Sequence, residues 1–98
     1  MSALSKVEIH EKLRAIPHWA LVGKSIVKKY TFKSFVPAMA FVNKIAEAAE
    51  KANHHPDITI NYSIVGISLS THSEGGVTQR DFDLAGQIDR IAEEALKA

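Results

Sequence analysis

Two runs of alternating apolar and polar residues, 57–62 and 64–71, constrain the fold of this chain more than any other feature. Their apolar positions are Ile58, Ile60, Val65, Ile67 and Leu69. Because successive side chains point to opposite faces of a strand, both rows reach one core surface only if even positions of the first run pair with odd positions of the second. The sequence therefore predicts an antiparallel hairpin with a tight turn at Tyr62–Ser63 or Ser63–Ile64.

An earlier hairpin is indicated by residues 19–33. Residues 19–22 are apolar, Gly23 and Lys24 form a turn signal, and residues 25–33 alternate. One face of the second strand carries Ile26, Tyr30 and Phe32, with Lys28 between them. Trp19, the only tryptophan, opens the first strand beside a loop, where its ring can line a pocket.

Two helices are marked by capping signals. Ser5 followed by Glu8 fits a capping box and predicts a short helix near residues 5–15. Thr78 followed by Asp81 is a variant of the same box and predicts the start of the last helix. Asp81 then has a ready structural role as a capping carboxylate.

A middle helix is predicted from about Ser34, which can cap it, to Ala52. Its apolar positions recur at helical spacing: Phe35, Met39, Val42, Ile45, Ala46 and Ala49. Asn53 tolerates the left-handed conformation that commonly ends a helix. The predicted order is helix, hairpin, helix, hairpin, helix, which indicates an α+β domain over residues 1–98 with the helices on one face of the strands.

Composition excludes several classes of protein. Net charge is +1, with twelve basic and eleven acidic residues interspersed, so the chain lacks the basic patch of a nucleic-acid binder. There is no cysteine for a disulfide or a thiolate metal site. No apolar run approaches the roughly 20 residues of a membrane span, and residues 1–6 lack the apolar core of a signal peptide. We therefore expect a cytoplasmic protein.

Three of the five histidines lie close to the second hairpin. His54 and His55 occupy the exit of the middle helix, and His72 follows the last strand. Extending the predicted register places His72 opposite residue 53 or 55, so His55 and His72 fall on the same side, away from the core. The sequence predicts that the three imidazoles meet at one rim, all of them off the apolar face.

A metal site is one interpretation of this cluster, but the spacing does not favour it. Tetrahedral zinc needs three or four ligands, and adjacent residues leaving a helix point in different directions. We predict that the chain binds no metal. A structural interpretation also exists, because Glu50 lies four residues before His54 and the two can pair on one helix face.

General acid–base chemistry is the third interpretation. The ordinary pKa of histidine, about 6.5, lies close to neutrality, so two or three imidazoles can donate one proton and accept another in a turnover. Dehydrations, isomerisations and tautomerisations suit such a set. No nucleophile, phosphate-binding or dinucleotide motif competes with this interpretation.

The spacing of these residues resembles a known family. The run Glu50-x3-His54-His55-Pro56-x5-Tyr62-x9-His72-x8-Asp81 is similar to the signature of the pterin-4a-carbinolamine dehydratases. The similarity extends over nearly the whole chain, including Trp19, residues 32–35 and residues 71–76.

The resemblance implies a four-stranded antiparallel sheet with three helices on one side. It implies loss of water from 4a-hydroxytetrahydropterin to give quinonoid dihydropterin, which recycles the cofactor of aromatic amino-acid hydroxylases. No cofactor is implied, and a homodimer or homotetramer is expected.

The resemblance also implies roles for individual residues. His54, His55 and His72 act in acid–base chemistry and binding, Glu50 and Asp81 orient them, and Trp19 lines the pocket. Some members carry Asp where this chain has Asn53, which can hydrogen-bond but cannot hold an imidazolium by charge. The alternative is an interaction module without catalysis, such as a transcription-factor dimerisation cofactor or an assembly chaperone.

Overall fold

Seven helices and strands follow one another in the predicted order in a computed structural model, which describes residues 2–97. The helices are α1 (Lys6–Leu13), α2 (Phe35–Ala52) and α3 (Gln79–Lys97), and the strands are β1 (Ala20–Val22), β2 (Ser25–Thr31), β3 (Asp57–Asn61) and β4 (Ile64–Leu69). A short 3-10 helix, His72–Glu74, precedes α3. The two ends of the predicted domain, Met1 and Ala98, lie outside the described residues.

The four strands form one antiparallel sheet in the order β1-β2-β4-β3. Ile58 pairs with Ile67 and Ile60 with Val65, so the register predicted from the alternating residues is confirmed. Tyr62 adopts a left-handed conformation, with φ of 53°, in the tight turn between β3 and β4. The central pair is β2 and β4, which leaves β1 and β3 as the two edges.

The core lies between the sheet and the helices, which cover one of its faces. Buried side chains from the sheet meet buried side chains of all three helices, and the set includes Ile9, Ile26, Tyr30, Phe41, Ile45, Val65, Ile67, Leu69, Leu84 and Ile88. The opposite face carries an open depression of about 500 Å³ lined by Val27, Lys29, Thr59, Gly66 and Ser68 among others. The predicted two-layer α+β architecture is confirmed.

The ends of the helices follow local chemistry with one exception. Ser5 and Glu8 form both bonds of the predicted capping box on α1. Asn53 ends α2 in the left-handed conformation, with φ of 50° and ψ of 44°. Ser34 occupies the N-cap position of α2 but its side chain makes no capping hydrogen bond, so the predicted cap is wrong in that detail.

Among residues 2–97, no helix is both long enough and apolar enough to cross a membrane.

Candidate active site

The left-handed turn at Asn53 sets the directions of the two adjacent histidines. The N–H groups of Asn53 and His54 donate to the last carbonyls of α2, at Glu50 and Ala49, and the chain then leaves the helix toward Pro56. His54 is turned inward and is 8% exposed, whereas His55 is exposed. The expectation that all three histidines lie away from the core is therefore wrong for His54.

His54 meets a buried carboxylate from another helix. Its Nε2 lies 2.5 Å from Oδ1 of Asp81, which is fully buried in the first turn of α3. Because an ionised carboxylate only accepts hydrogen bonds, the ring nitrogen is the donor. The contact links the end of α2 to the start of α3.

The second oxygen of Asp81 is also occupied. Oδ2 accepts the backbone N–H of Thr78 and the hydroxyl of Thr71, each at 2.9 Å. The bond from Thr78 is the capping contact predicted from the sequence. With His54 included, three donors hold the carboxylate, and it has little freedom to rotate.

His55 has a carboxylate partner of its own. Its Nε2 lies 2.5 Å from Oε2 of Glu50, and the two side chains are 58% and 77% exposed. The pairing of Glu50 with His54 that the structural interpretation allowed is therefore not formed, because the left-handed turn carries His54 inward and brings His55 to Glu50. An exposed pair of this kind adds little stability.

His72 is exposed and begins the 3-10 helix. Within residues 2–97 its imidazole has no hydrogen-bond partner. The predicted extension of the strand register to His72 is wrong, since β3 begins at Asp57 and β4 ends at Leu69. An isolated bridge between Thr71 and Gly76 closes the loop and positions His72 instead.

All three histidines nevertheless line one pocket of about 210 Å³, as the sequence predicted for the rim. Its lining residues are Asn53, His54, His55, Ser70, Thr71, His72, Ser73 and Arg80.

Arg80 was not predicted from the sequence. Its Nη2 donates to the backbone carbonyl of Asn53 at 2.7 Å and so ties α3 to the turn that carries the histidines. A basic residue in the first turn of a helix is disfavoured by the helix dipole. A basic residue in this unfavourable position, next to Asp81, was the sequence signal that could have identified Arg80.

Trp19 lies outside the pocket that the three histidines line. It is buried, and its indole N–H donates to Oδ2 of Asp89 at 3.0 Å. Lys28 and Tyr30 donate to the other oxygen of the same carboxylate. Burial and the neighbouring Asp89 raise the pKa of Tyr30 far above its ordinary value. The structure does not bring Trp19 to the three histidines.

Metal binding finds no support in the arrangement of the residues. Across the described part of the chain, no three side chains of His, Cys, Asp or Glu converge as the ligands of a metal ion would. His54 faces Asp81 inside the protein while His55 faces Glu50 at the surface, so the two imidazoles point apart.

A small α+β scaffold thus presents three imidazoles to one pocket, and two of the three are paired with carboxylates. Pairs of this kind suit proton transfer, because the carboxylate can hold one ring nitrogen as a donor and leave the other for acid–base chemistry.

Comparison with known proteins gives the family. The sequence profile of the Pterin 4 alpha carbinolamine dehydratase family matches residues 2–91. The chain belongs to this family. A relative from Picosynechococcus sp. is 48% identical over 88 residues, covering 90% of this chain and 96% of the relative. One from Acidobacterium capsulatum is 50% identical over 91 residues, covering 93% and 99%. Both carry the name pterin-4-alpha-carbinolamine dehydratase provisionally.

Two solved structures share the fold. A transcriptional coactivator/pterin dehydratase from Brucella melitensis superimposes with a TM-score of 0.89 at 38% identity, covering 93% of this chain and 99% of that one. A pterin dehydratase-like protein described as a RuBisCO assembly factor of the alpha-carboxysome gives 0.65 at 26% identity, covering 76% and 88%.

Proposed function

We propose that this chain is a dehydratase that removes water from 4a-hydroxytetrahydropterin, the pterin-4a-carbinolamine, and forms quinonoid dihydropterin. The observation that carries the proposal is the convergence of His54, His55 and His72 on one pocket, with a carboxylate against two of the three imidazoles. Membership of the dehydratase family supports the same substrate.

The reaction needs one proton delivered and one removed. A general acid protonates the C4a hydroxyl, the C–O bond breaks, and water leaves. A general base takes the proton from N5, and the electron pair of that N–H bond becomes the C4a=N5 double bond. Imidazoles can do both at neutral pH, and we assign this work and substrate binding to His54, His55 and His72.

The remaining site residues act through these histidines. Asp81 orients His54 and Glu50 orients His55, each at 2.5 Å. Asn53 supplies the left-handed turn that separates the two imidazoles, and Arg80 holds that turn by its carbonyl. The absence of a negative charge at Asn53 leaves orientation to Glu50 and Asp81.

The proposed enzyme works as a homodimer or homotetramer without a metal or an organic cofactor. The free outer edge of β3, its exposed Ile60 and the exposed Tyr62 in the following turn favour association, since an exposed strand edge with apolar side chains needs cover. Aromatic amino-acid hydroxylases generate the carbinolamine, so the proposal implies a functional link to such an enzyme.

The test is a coupled assay in which purified protein is added to a phenylalanine hydroxylase reaction and the decay of carbinolamine absorbance is followed. The uncatalysed dehydration is subtracted. The expected result is a decay rate proportional to protein concentration that is lost in the His55→Ala, His72→Ala double variant. Equal rates with the double variant and with the parent would refute the catalytic assignment.

An interaction module without catalysis is the second candidate. The observation that favours it is that the two solved relatives are described as a coactivator/dehydratase and as an assembly factor. On this hypothesis the histidines are idle, and the same assay would show no protein-dependent decay.

A further inference from the structure

Two buried threonines, Thr71 and Thr78, hydrogen-bond Asp81, and Thr71 also lines the pocket of the three histidines, which we call the histidine pocket. Thr71 is 3% exposed and Thr78 is fully buried. Their Oγ1 atoms are 2.8 Å apart, and Thr71 Oγ1 is 2.9 Å from Asp81 Oδ2. The hydroxyl of Thr78 also accepts the backbone N–H of Arg80 at 3.3 Å.

The proton count fixes the direction of this chain of hydrogen bonds. Each hydroxyl has one proton to donate, and the carboxylate oxygen has none. The hydroxyl of Thr71 therefore donates its hydrogen bond to Asp81, and in the bond between the two hydroxyls Thr78 must be the donor. The bonds run one way, from the Arg80 N–H through Thr78 and Thr71 to the carboxylate.

We infer that Thr71 and Thr78 are positioning residues that hold Asp81 in one rotamer and thereby fix the tautomer of His54. With Oδ2 occupied by two donors, only Oδ1 faces the imidazole, at 2.5 Å from Nε2. In the tautomer with its proton on Nδ1, the lone pair of His54 Nε2 would face a lone pair of Asp81 Oδ1 at that distance, which is repulsive. His54 is thus held with its proton on Nε2.

The other ring nitrogen of His54 is the one left for chemistry. No described residue hydrogen-bonds Nδ1, and no unpaired side-chain nitrogen or oxygen among the described residues is sealed from solvent. Nδ1 is therefore not sealed from solvent, and His54 lines both the histidine pocket and a second pocket beside Asp83 and Gln87. A catalytic benefit rests on the proposed function, whereas the tautomer does not depend on it.

Helix capping alone does not explain why the Thr71 hydroxyl bonds to Asp81. The backbone N–H of Thr78 already supplies the capping bond to Asp81. Thr71 comes from the bridge after β4, ten residues before Asp81, and its hydroxyl satisfies no helical backbone group. Its buried bond to Oδ2 acts on the carboxylate alone, and bonds in such a chain strengthen one another.

The first test is the imidazole 15N–1H spectrum of His54 at a pH above the ordinary titration range of histidine. The spectrum distinguishes a proton on Nε2 from one on Nδ1. The expected result for the unmodified protein is a proton on Nε2. A proton on Nδ1 would overturn the inference without any variant, whether or not the protein turns over a pterin.

Variants then test the hydroxyls. Thr71→Val removes the donor to Asp81 with little change of shape, and we expect a mixture of His54 tautomers. Thr71→Ser should restore the single tautomer. Thr78→Val should have a smaller effect, because Thr71 keeps its donation to Asp81. The matched control is Thr31→Val, at an exposed position at the other end of the sheet.

Turnover supplies a second measurement. Losing one orienting hydrogen bond should lower kcat about threefold to tenfold for Thr71→Val, with KM little changed. Backbone spectra identify any variant that fails to fold. A folded Thr71→Val protein with the same single tautomer as the parent would overturn the inference. Normal tautomer control with no turnover in any protein would count against the proposed function alone.

Discussion

The imidazole of His54 and the carboxylate of Asp81 meet at 2.5 Å in the interior, although they are 27 residues apart in the chain. The contact joins the exit of α2 to the first turn of α3, and its imidazole lines the histidine pocket. It gives His54 a structural role as well as the proposed chemical one.

His54→Ala should therefore destabilise the protein, unlike a change at the exposed His72. Removing the imidazole leaves one oxygen of Asp81 buried without its partner, which costs about 1–3 kcal/mol. Burial of the His54 imidazole is the reason for the difference. Urea unfolding of His54→Ala against His72→Ala measures it, and equal midpoints would contradict the structural role.

Asp81→Asn should affect both folding and turnover. The amide oxygen can keep the capping bond to Thr78, but the charge next to His54 is lost. We expect a lower unfolding free energy and a lower kcat per folded molecule. If stability falls while kcat per folded molecule is unchanged, Asp81 is a capping residue without an orienting role.

His55→Ala and His72→Ala should each lower turnover while leaving stability unchanged, because both side chains are exposed. A proton-transfer role that is lost outright costs about 10²–10⁴-fold, and a shared role costs less. The double variant should lose less than the product of the two single effects, since the groups act as a unit. Background-corrected rates of the four proteins give the comparison, and strict multiplicativity would argue for independent roles.

Glu50→Gln isolates the surface pair. The variant keeps a hydrogen-bond acceptor for His55 but removes the charge. Because the pair is exposed, unfolding should be unchanged within about 0.5 kcal/mol, whereas kcat should fall if Glu50 orients His55. Denaturation and turnover are measured on the same preparation, and an unchanged kcat would remove Glu50 from the site.

Association should give a dimer or a tetramer at micromolar concentration. The edge strand β3 and the exposed Ile60 and Tyr62 provide a surface that a second copy can cover. Sedimentation or light scattering reads the mass, and a species of 10.8 kDa alone would contradict the prediction. Ile60→Lys is expected to weaken a dimer formed at this edge.

The amino-acid sequence determined the elements of this fold and the register of its second hairpin. Alternation of Ile58 and Ile60 against Val65 and Ile67 leaves one pairing that puts the apolar side chains together, and the structure has that pairing. The capping box of Ser5 and the left-handed end at Asn53 are likewise local, since each depends on residues within one turn. Local rules of this kind need no knowledge of the tertiary fold.

Only the tertiary structure decided which carboxylate pairs with which histidine at the site. Sequence spacing paired Glu50 with His54, but the turn at Asn53 rotates the two histidines apart, and Asp81 becomes the partner of the inner one. The tertiary fold also buried Trp19 against Asp89. These contacts depend on how α2, α3 and the sheet pack together, so partners far apart in the chain meet for reasons that no local pattern contains.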